Sequence, residues 1–420
     1  MKRIFPIQSD TSCLLKWAWS TVYLKQGTSA SCCRSDQGQI PLDNFAVFHN
    51  LPNKLEARKV MRQGQWPATG CESCELVERA GGISDRQFQI MANHDHDRTP
   101  HELLQNPNLD IVTPTVLDVY FNNTCNMACL YCGSHFSSKW EEENRRFGPY
   151  FDVANRYSFG HNTEWHQSYG RLVEQFWQWL DKNHMHLRYF QVLGGEPFFQ
   201  PEFEQAIDFF ESHPSPDLNF NIITNMKVAP SRFQRTIDRF GDMIKQGQLR
   251  GLQISSSLDC WGPQQEYVRY GLDLDEWTAN FEYLLDKPWV TQCVNAAVSS
   301  LTIKTLPELI KRINTWNDTK PGDNINFSFM AVQAPVQMSP MIFGPGVFDQ
   351  DFEIALAELA NHPGAQFGMF DTMQGIAQQI QSSQRNTRAI NGLISYLDEI
   401  DRRRQTSWRE LFPWLDQIWS

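Results

Sequence analysis

The sequence predicts an α/β protein: a partial barrel of six strand–helix units, (β/α)6, preceded by a small cysteine-rich region and followed by a helical tail. Three observations carry this. Six short runs rich in β-branched and aromatic residues recur between residues 112 and 335. Amphipathic stretches with i, i+3, i+4 spacing lie between them. Five of the ten cysteines fall before residue 95, where long periodic segments are few.

Residues 1–95 hold Cys13, Cys32, Cys33, Cys71 and Cys74 among turn signals such as "KQGTSAS" and "RAGGIS", and read as a small domain organised around a metal. The polar stretch "NHDHDRTPHELLQNPNLDIVTP" makes residues 96–111 a linker, with His94 and His96 as solvated loop residues. The barrel is expected over 112–335. Its strands are "TVLDVYF" (115–121), "LRYFQVLG" (187–194), "LNFNIIT" (218–224), "GLQISSSL" (251–258), "TQCVNAAV" (291–298) and "NFSFMAV" (326–332). Helices such as "YGRLVEQFWQWLDKN" and "DLDEWTANFEYLLDK" separate them. Repeated strand–helix units imply a parallel sheet with right-handed crossovers, and about six of them suit a partial barrel better than an open dinucleotide-binding sheet. Residues 336–420 are read as helical, ending in "SWRELFPWLDQIWS".

Composition narrows the function. With 420 residues, 41% hydrophobic and 20% charged, the chain is an ordinary globular protein of more than one packed unit. A net charge of -11 argues against an extended nucleic-acid surface. No run reaches the ~18 apolar residues of a membrane span, and "MKRIFPIQSDTS" lacks the apolar core of a signal peptide, so the expected location is the cytoplasm. Thiols are kept reduced there, and clustered cysteines then point to metal rather than disulfides.

The chemistry centres on "FNNTCNMACLYCGSHF", which sets Cys125, Cys129 and Cys132 in the loop after the first barrel strand. That is the edge where barrels place their chemistry. Four thiolates cap a cubane completely and make an electron carrier, whereas three leave one iron open. A three-Cys zinc site completed by His135 is the alternative. Further signals end later strands: "GGEPFF" (194–199), "TNM" (224–226) and "SSLD" (256–259), with Arg269 in "EYVRYG" a dozen residues on. Glycines let backbone approach a ligand, Glu196 offers an acceptor to an ammonium, and Arg269 offers a bidentate fork to a carboxylate.

The C-x3-C-x2-C pattern with Tyr131 before its last Cys, together with GGEP and SSLD, resembles the radical S-adenosylmethionine (SAM) superfamily. The resemblance implies a [4Fe-4S] cluster on Cys125, Cys129 and Cys132 whose open iron is chelated by SAM. It also implies SAM contacts from Tyr131, Gly194, Gly195, Glu196 and Pro197, and from Ser257, Asp259 and Arg269. Cys260 departs from the glycine often found after that Asp. Cys260 and Cys293, the latter sharing a strand face with Asn295 and Ala297, read as small buried hydrophobes.

The stretches "CLLKWAWSTVYLKQGTSASCC" and "MRQGQWPATGCESCELVERAGGISDRQ" are similar to a twitch or SPASM-type auxiliary module. By that likeness Cys13, Cys32, Cys71 and Cys74 hold a second [4Fe-4S] cluster. Cys33 is the alternative to Cys32, and structural zinc is the alternative to iron–sulfur. The implied activity is a 5'-deoxyadenosyl radical that abstracts hydrogen from a ribosomally made peptide or protein, leading to crosslinking, epimerisation or backbone excision such as tyramine splicing. A small leader-binding partner protein and a reductant such as flavodoxin or ferredoxin would accompany it. A sugar or amino-acid derivative as substrate, and a non-catalytic iron–sulfur scaffold, are the competing readings.

Overall fold

The computed structural model describes residues 5–7, 9–79, 81–150, 166–320, 323–364 and 368–419. Nine strands form one mixed, mostly parallel sheet: β1 (Trp19–Tyr23), β2 (Thr28–Ala30), β3 (Gly38–Gln39), β4 (Val116–Tyr120), β5 (Tyr189–Leu193), β6 (Ser215–Thr224), β7 (Leu249–Ser257), β8 (Val290–Val298) and β9 (Asn326–Ala331). Their order is β3-β2-β1-β4-β5-β6-β7-β8-β9. All six strands expected from the sequence are present, each parallel to its chain neighbour.

Alternation along the strands gives the sheet two unlike faces. Val119, Phe190, Val192, Phe220, Ile222, Ile254 and Val294 point to one side and are sealed. The helices Tyr169–Asn183, Pro201–Ser212 and Pro230–Lys245 cover that side through aromatic pairs. Phe121 meets Phe176 at 5.4 Å, Phe190 meets Phe210 at 5.2 Å and Phe220 meets Phe240 at 4.8 Å between ring centroids. Each ring so buried contributes roughly 1.5–3 kcal/mol. The other face is polar. Thr21, Asp118, Gln191, Asn221 and Gln253 lie side by side across five strands. Gln191, Gln253, Cys293 and Asn295 on this face are only half-buried.

The N-terminal region is joined to this sheet. Trp19–Tyr23 pairs with Val116–Tyr120 residue for residue, in parallel, and β2 and β3 follow antiparallel. It also keeps a small core of its own, in which Cys13, Leu14, Trp17, Met61 and Cys71 pack with Leu103 and Val112. Residues 96–111, expected as a linker, do connect the two regions, but they are packed. They contain the helix His101–Gln105 with Leu103 fully buried. Asp97 accepts from Tyr189 Oη (2.9 Å) and Arg250 Nη1 (3.0 Å), while the Arg98 guanidinium lies 4.6 Å from the Tyr189 ring centroid. This clasp borders a cavity of about 240 Å³ lined by Tyr189, Asn219, Arg250 and Gln253 at the lower end of the polar face. The tail forms the helices Asp349–Ala360, Met369–Gln381 and Thr387–Arg404.

Candidate functional site

The loop after β4 is pinned from every side. Ala128 N–H donates to Tyr270 O (2.9 Å) and Leu130 N–H to Val268 O (2.8 Å), so the loop runs along the segment before Gly271. Trp140 Nε1 donates to Cys129 O (2.9 Å), and Tyr396 Oη, from the C-terminal helix, donates to Leu130 O (3.0 Å). Cys125, Cys129 and Cys132 feel one another's charge, and burial pushes all three thiols above their ordinary value, Cys132 to about 12. Thiols in that state must release protons to bind metal.

Polar groups aim at two of these sulfurs. Arg269 Nη1 lies 4.0 Å from Cys129 Sγ, and Asn225 Nδ2 lies 3.9 Å from Cys125 Sγ. Such donors suit thiolates carrying negative charge. His135 sits in the field of Lys25 and Glu141. Among the described residues no three His, Cys, Asp or Glu side chains converge on a single-ion position. A cubane's thiolates bind separate irons and stand further apart than the ligands of one ion.

The strand-end motifs meet this loop. Gly194 and Gly195 have φ of 83° and 60°, the left-handed region, and a Cβ on Gly195 would sit 2.4 Å from Thr124 O. Glu196 N–H donates to that same Thr124 O at 2.8 Å. The Glu196 side chain is fully buried and accepts from Thr224 Oγ1 (2.8 Å), Asn225 N (2.7 Å) and Phe198 N (3.3 Å). Burial pushes its carboxyl up to about 7, against the pull of those donors. Pro197 opens the short 3-10 turn that follows.

Asp259 is also fully buried, and every partner is internal. It accepts from Arg269 Nε (2.9 Å) and Nη2 (2.8 Å), Tyr131 Oη (2.5 Å) and Ala297 N (2.9 Å). Burial works against the Arg269 charge, yet Asp259, Tyr131 and Cys129 together hold it protonated. Ser257 lies on the polar face beside Asn295. Cys260 is sealed, with its thiol 3.3 Å from Gln265 Oε1, whereas Cys293 is half-buried on the polar face beside Ser255.

The N-terminal thiols gather separately. Cys13 and Cys71 each feel Cys32, and Cys71 also feels Cys74. Cys33 turns the other way, exposed and close to Tyr23 and Asp118. Two buried lysines lie near the set: Lys16 (4% exposed), which acts on Cys13 and Cys71, and Lys54 (2%), which feels Cys32. Lys54 Nζ donates only to Ser20 Oγ (2.9 Å), Ser29 Oγ (2.7 Å) and Ala30 O (3.0 Å), all neutral. Lys16 bonds Cys71. Burial and the neighbouring Arg58 and Lys16 push Lys54 toward its neutral form while Cys32 pulls the other way, as four thiolates around a metal would more strongly.

No family model matches this chain. No curated protein matches it either. Among solved structures it is similar to native anSMEcpe with bound AdoMet and the Cp18Cys peptide, at 15% identity and a TM-score of 0.33. The likeness covers 62% of this chain and 61% of that one, so the chain spans less than two thirds of the neighbour's length.

Reading the sequence did not single out Asp118, Asn225, Lys16 or Lys54. Asp118 carried a signal, a charge in the middle of an otherwise apolar strand. Asn225 directly follows the strand end already noted.

Proposed function

We propose that this chain is a radical SAM enzyme acting on a ribosomally made peptide or protein, built on a partial (β/α)6 barrel and carrying an auxiliary [4Fe-4S] cluster on Cys13, Cys32, Cys71 and Cys74. The observation that supports it most is the meeting of three distant motifs at one edge of the sheet: the three-thiol loop, the GGEP turn packed on Thr124, and Arg269 beside Cys129. A cubane on Cys125, Cys129 and Cys132 would leave one iron open to the amine and carboxylate of SAM and, once reduced, would supply a 5'-deoxyadenosyl radical.

Around it the chain's residues have separable tasks. Arg269 spends two nitrogens on Asp259 and keeps Nη1 for a ligand carboxylate. Gly194 and Gly195 bare the backbone for an ammonium. Glu196 is sealed and bonded to residues 224–225, so it positions the turn rather than receiving the ammonium itself. A one-electron reductant such as flavodoxin or ferredoxin would drive turnover, with a small leader-binding protein as the substrate's escort.

The test is anaerobic reconstitution. About eight irons and eight sulfides per chain are expected from two cubanes. Replacing Cys125, Cys129 and Cys132 by Ala should halve both. Reduced protein should form 5'-deoxyadenosine, and Cys129→Ala should not. Zinc at both sites with no SAM cleavage would establish the scaffold reading instead. Co-expression with a neighbouring short reading frame, followed by mass measurement, tests the peptide substrate.

A further inference from the structure

We infer that, on the polar face of the sheet below the SAM motifs, Asp118 with the Tyr23–Tyr120 ring pair receives a lysine or arginine side chain of the peptide. This rests on the radical SAM reading and names the substrate chemistry of that same site.

Asp118 differs from the other buried acids. It is 8% exposed, and its donors are neutral: Thr21 Oγ1 at 3.3 Å, Gln191 Nε2 at 3.2 Å and the Trp19 side chain. Charge-assisted bonds to carboxylates run to about 2.7–2.9 Å, the lengths Arg269 reaches on Asp259. Among the described residues no cation acts on Asp118, and burial pushes its carboxyl up to about 7. A buried acid without a counter-ion is costly unless a ligand completes it.

What surrounds it selects a cation. Tyr23 and Tyr120 lie one step further along the same face, stacked at 4.6 Å and 27°. Ring faces beside a carboxylate attract ammonium and guanidinium groups. The net charge of -11 favours the approach of a basic chain.

The place fits as well. A Cβ on Gly194 would stand 2.2 Å from Tyr120 Cδ1, so the ring pair lies directly against the SAM turn. On the other side, Asn221 is 8% exposed and its Oδ1 is buried with no partner. Asn221 shares the Asp118 row two strands away, roughly 10 Å. That distance matches about three residues of extended chain, so a backbone N–H of the same peptide can reach Asn221 while its basic side chain occupies Asp118.

The experiment uses reconstituted, SAM-loaded protein and three probes: acetyl-Gly-Gly-Arg-Gly-Gly-amide, its citrulline counterpart and free L-arginine amide. Calorimetric titration should show the arginine pentapeptide binding at least about tenfold tighter than the neutral citrulline peptide. Asp118→Asn should erase that preference. Tyr23→Leu, which leaves the carboxylate in place, should reduce it several-fold. Equal affinity for the two pentapeptides, no binding of the arginine peptide, or an unchanged preference in Asp118→Asn would overturn the cation site. Free arginine amide binding as tightly as the pentapeptide would overturn the peptide contact at Asn221. SAM cleavage is measured separately on the unmodified protein. Its absence alongside an intact arginine preference would sink the radical reading and leave the cation site standing.

Discussion

If the proposed SAM site is right, Asp259→Asn separates a residue that would touch SAM from one that aims another. All four hydrogen bonds to the Asp259 carboxylate come from within the protein. Arg269 Nη1 makes none of these bonds and lies 4.0 Å from Cys129 Sγ. One charge-assisted hydrogen bond contributes about 1.5–3 kcal/mol, so Arg269→Ala should weaken SAM binding by roughly 10- to 150-fold. Asp259→Asn should cause a loss of similar size, because the guanidinium is no longer held. In a protein already carrying Arg269→Ala, adding Asp259→Asn should change SAM affinity by less than about 0.5 kcal/mol. Equilibrium dialysis of SAM against the four reconstituted proteins measures the cycle. Thermal melts must accompany it, since breaking a buried ion pair costs about 3–5 kcal/mol of stability. If the two losses add in the double variant, Asp259 contacts SAM directly and the positioning role is refuted.

Asp118→Asn should change stability in a pH-dependent way. The folded carboxyl is pushed by burial from 3.8 up to about 7, so the folded state keeps a proton that the unfolded chain loses across that window. The burial cost is therefore absent near pH 4 and complete above pH 7. The variant's melting temperature should match the parent's below about pH 4 and exceed it at pH 8, by at most about 4 kcal/mol in stability. A difference that stays flat with pH would mean that Asp118 has a counter-ion. Gly195→Ala places a Cβ 2.4 Å from Thr124 O at a φ of +60°. It should cost about 1–3 kcal/mol in strain and abolish deoxyadenosine formation in folded protein, and normal SAM cleavage would contradict the packing of the GGEP turn on the cysteine loop.

The strands and their motifs were legible because both depend on local pattern. Runs such as "TQCVNAAV" alternate, and the structure seals Val294 and Ala296 while leaving Cys293 and Asn295 half-buried. Strand β1, "WSTVY", has β-branched and aromatic residues but no such alternation, and its surroundings are rich in cysteine. Its partner β4 lies nearly a hundred residues away, and pairing over such a distance leaves no local trace. The choice between Cys32 and Cys33 was equally closed to spacing, since the two are adjacent and lie in the bend and turn after β2; Cys13 and Cys71 each feel Cys32. The partners of Glu196 and Asp259 were hidden for a related reason: an acid at a strand end looks available to ligand until its internal donors are counted.

The parallel pairing of β1 with β4 makes the first ninety-odd residues impossible to detach as a cassette. Their removal would leave β4 as a bare edge, with the backbone groups of Val116–Tyr120 that now face Trp19–Tyr23 open to any passing strand. It would also take from Glu141, on the helix after the cysteine loop, its buried partner Lys25, which follows β1, 2.8 Å away and 1% exposed. A trimmed chain would thus be prone to edge-to-edge aggregation while losing the buried cation paired with Glu141. Exchange of this region between proteins, in the laboratory or in evolution, has to carry the strand and the lysine along with the cysteines.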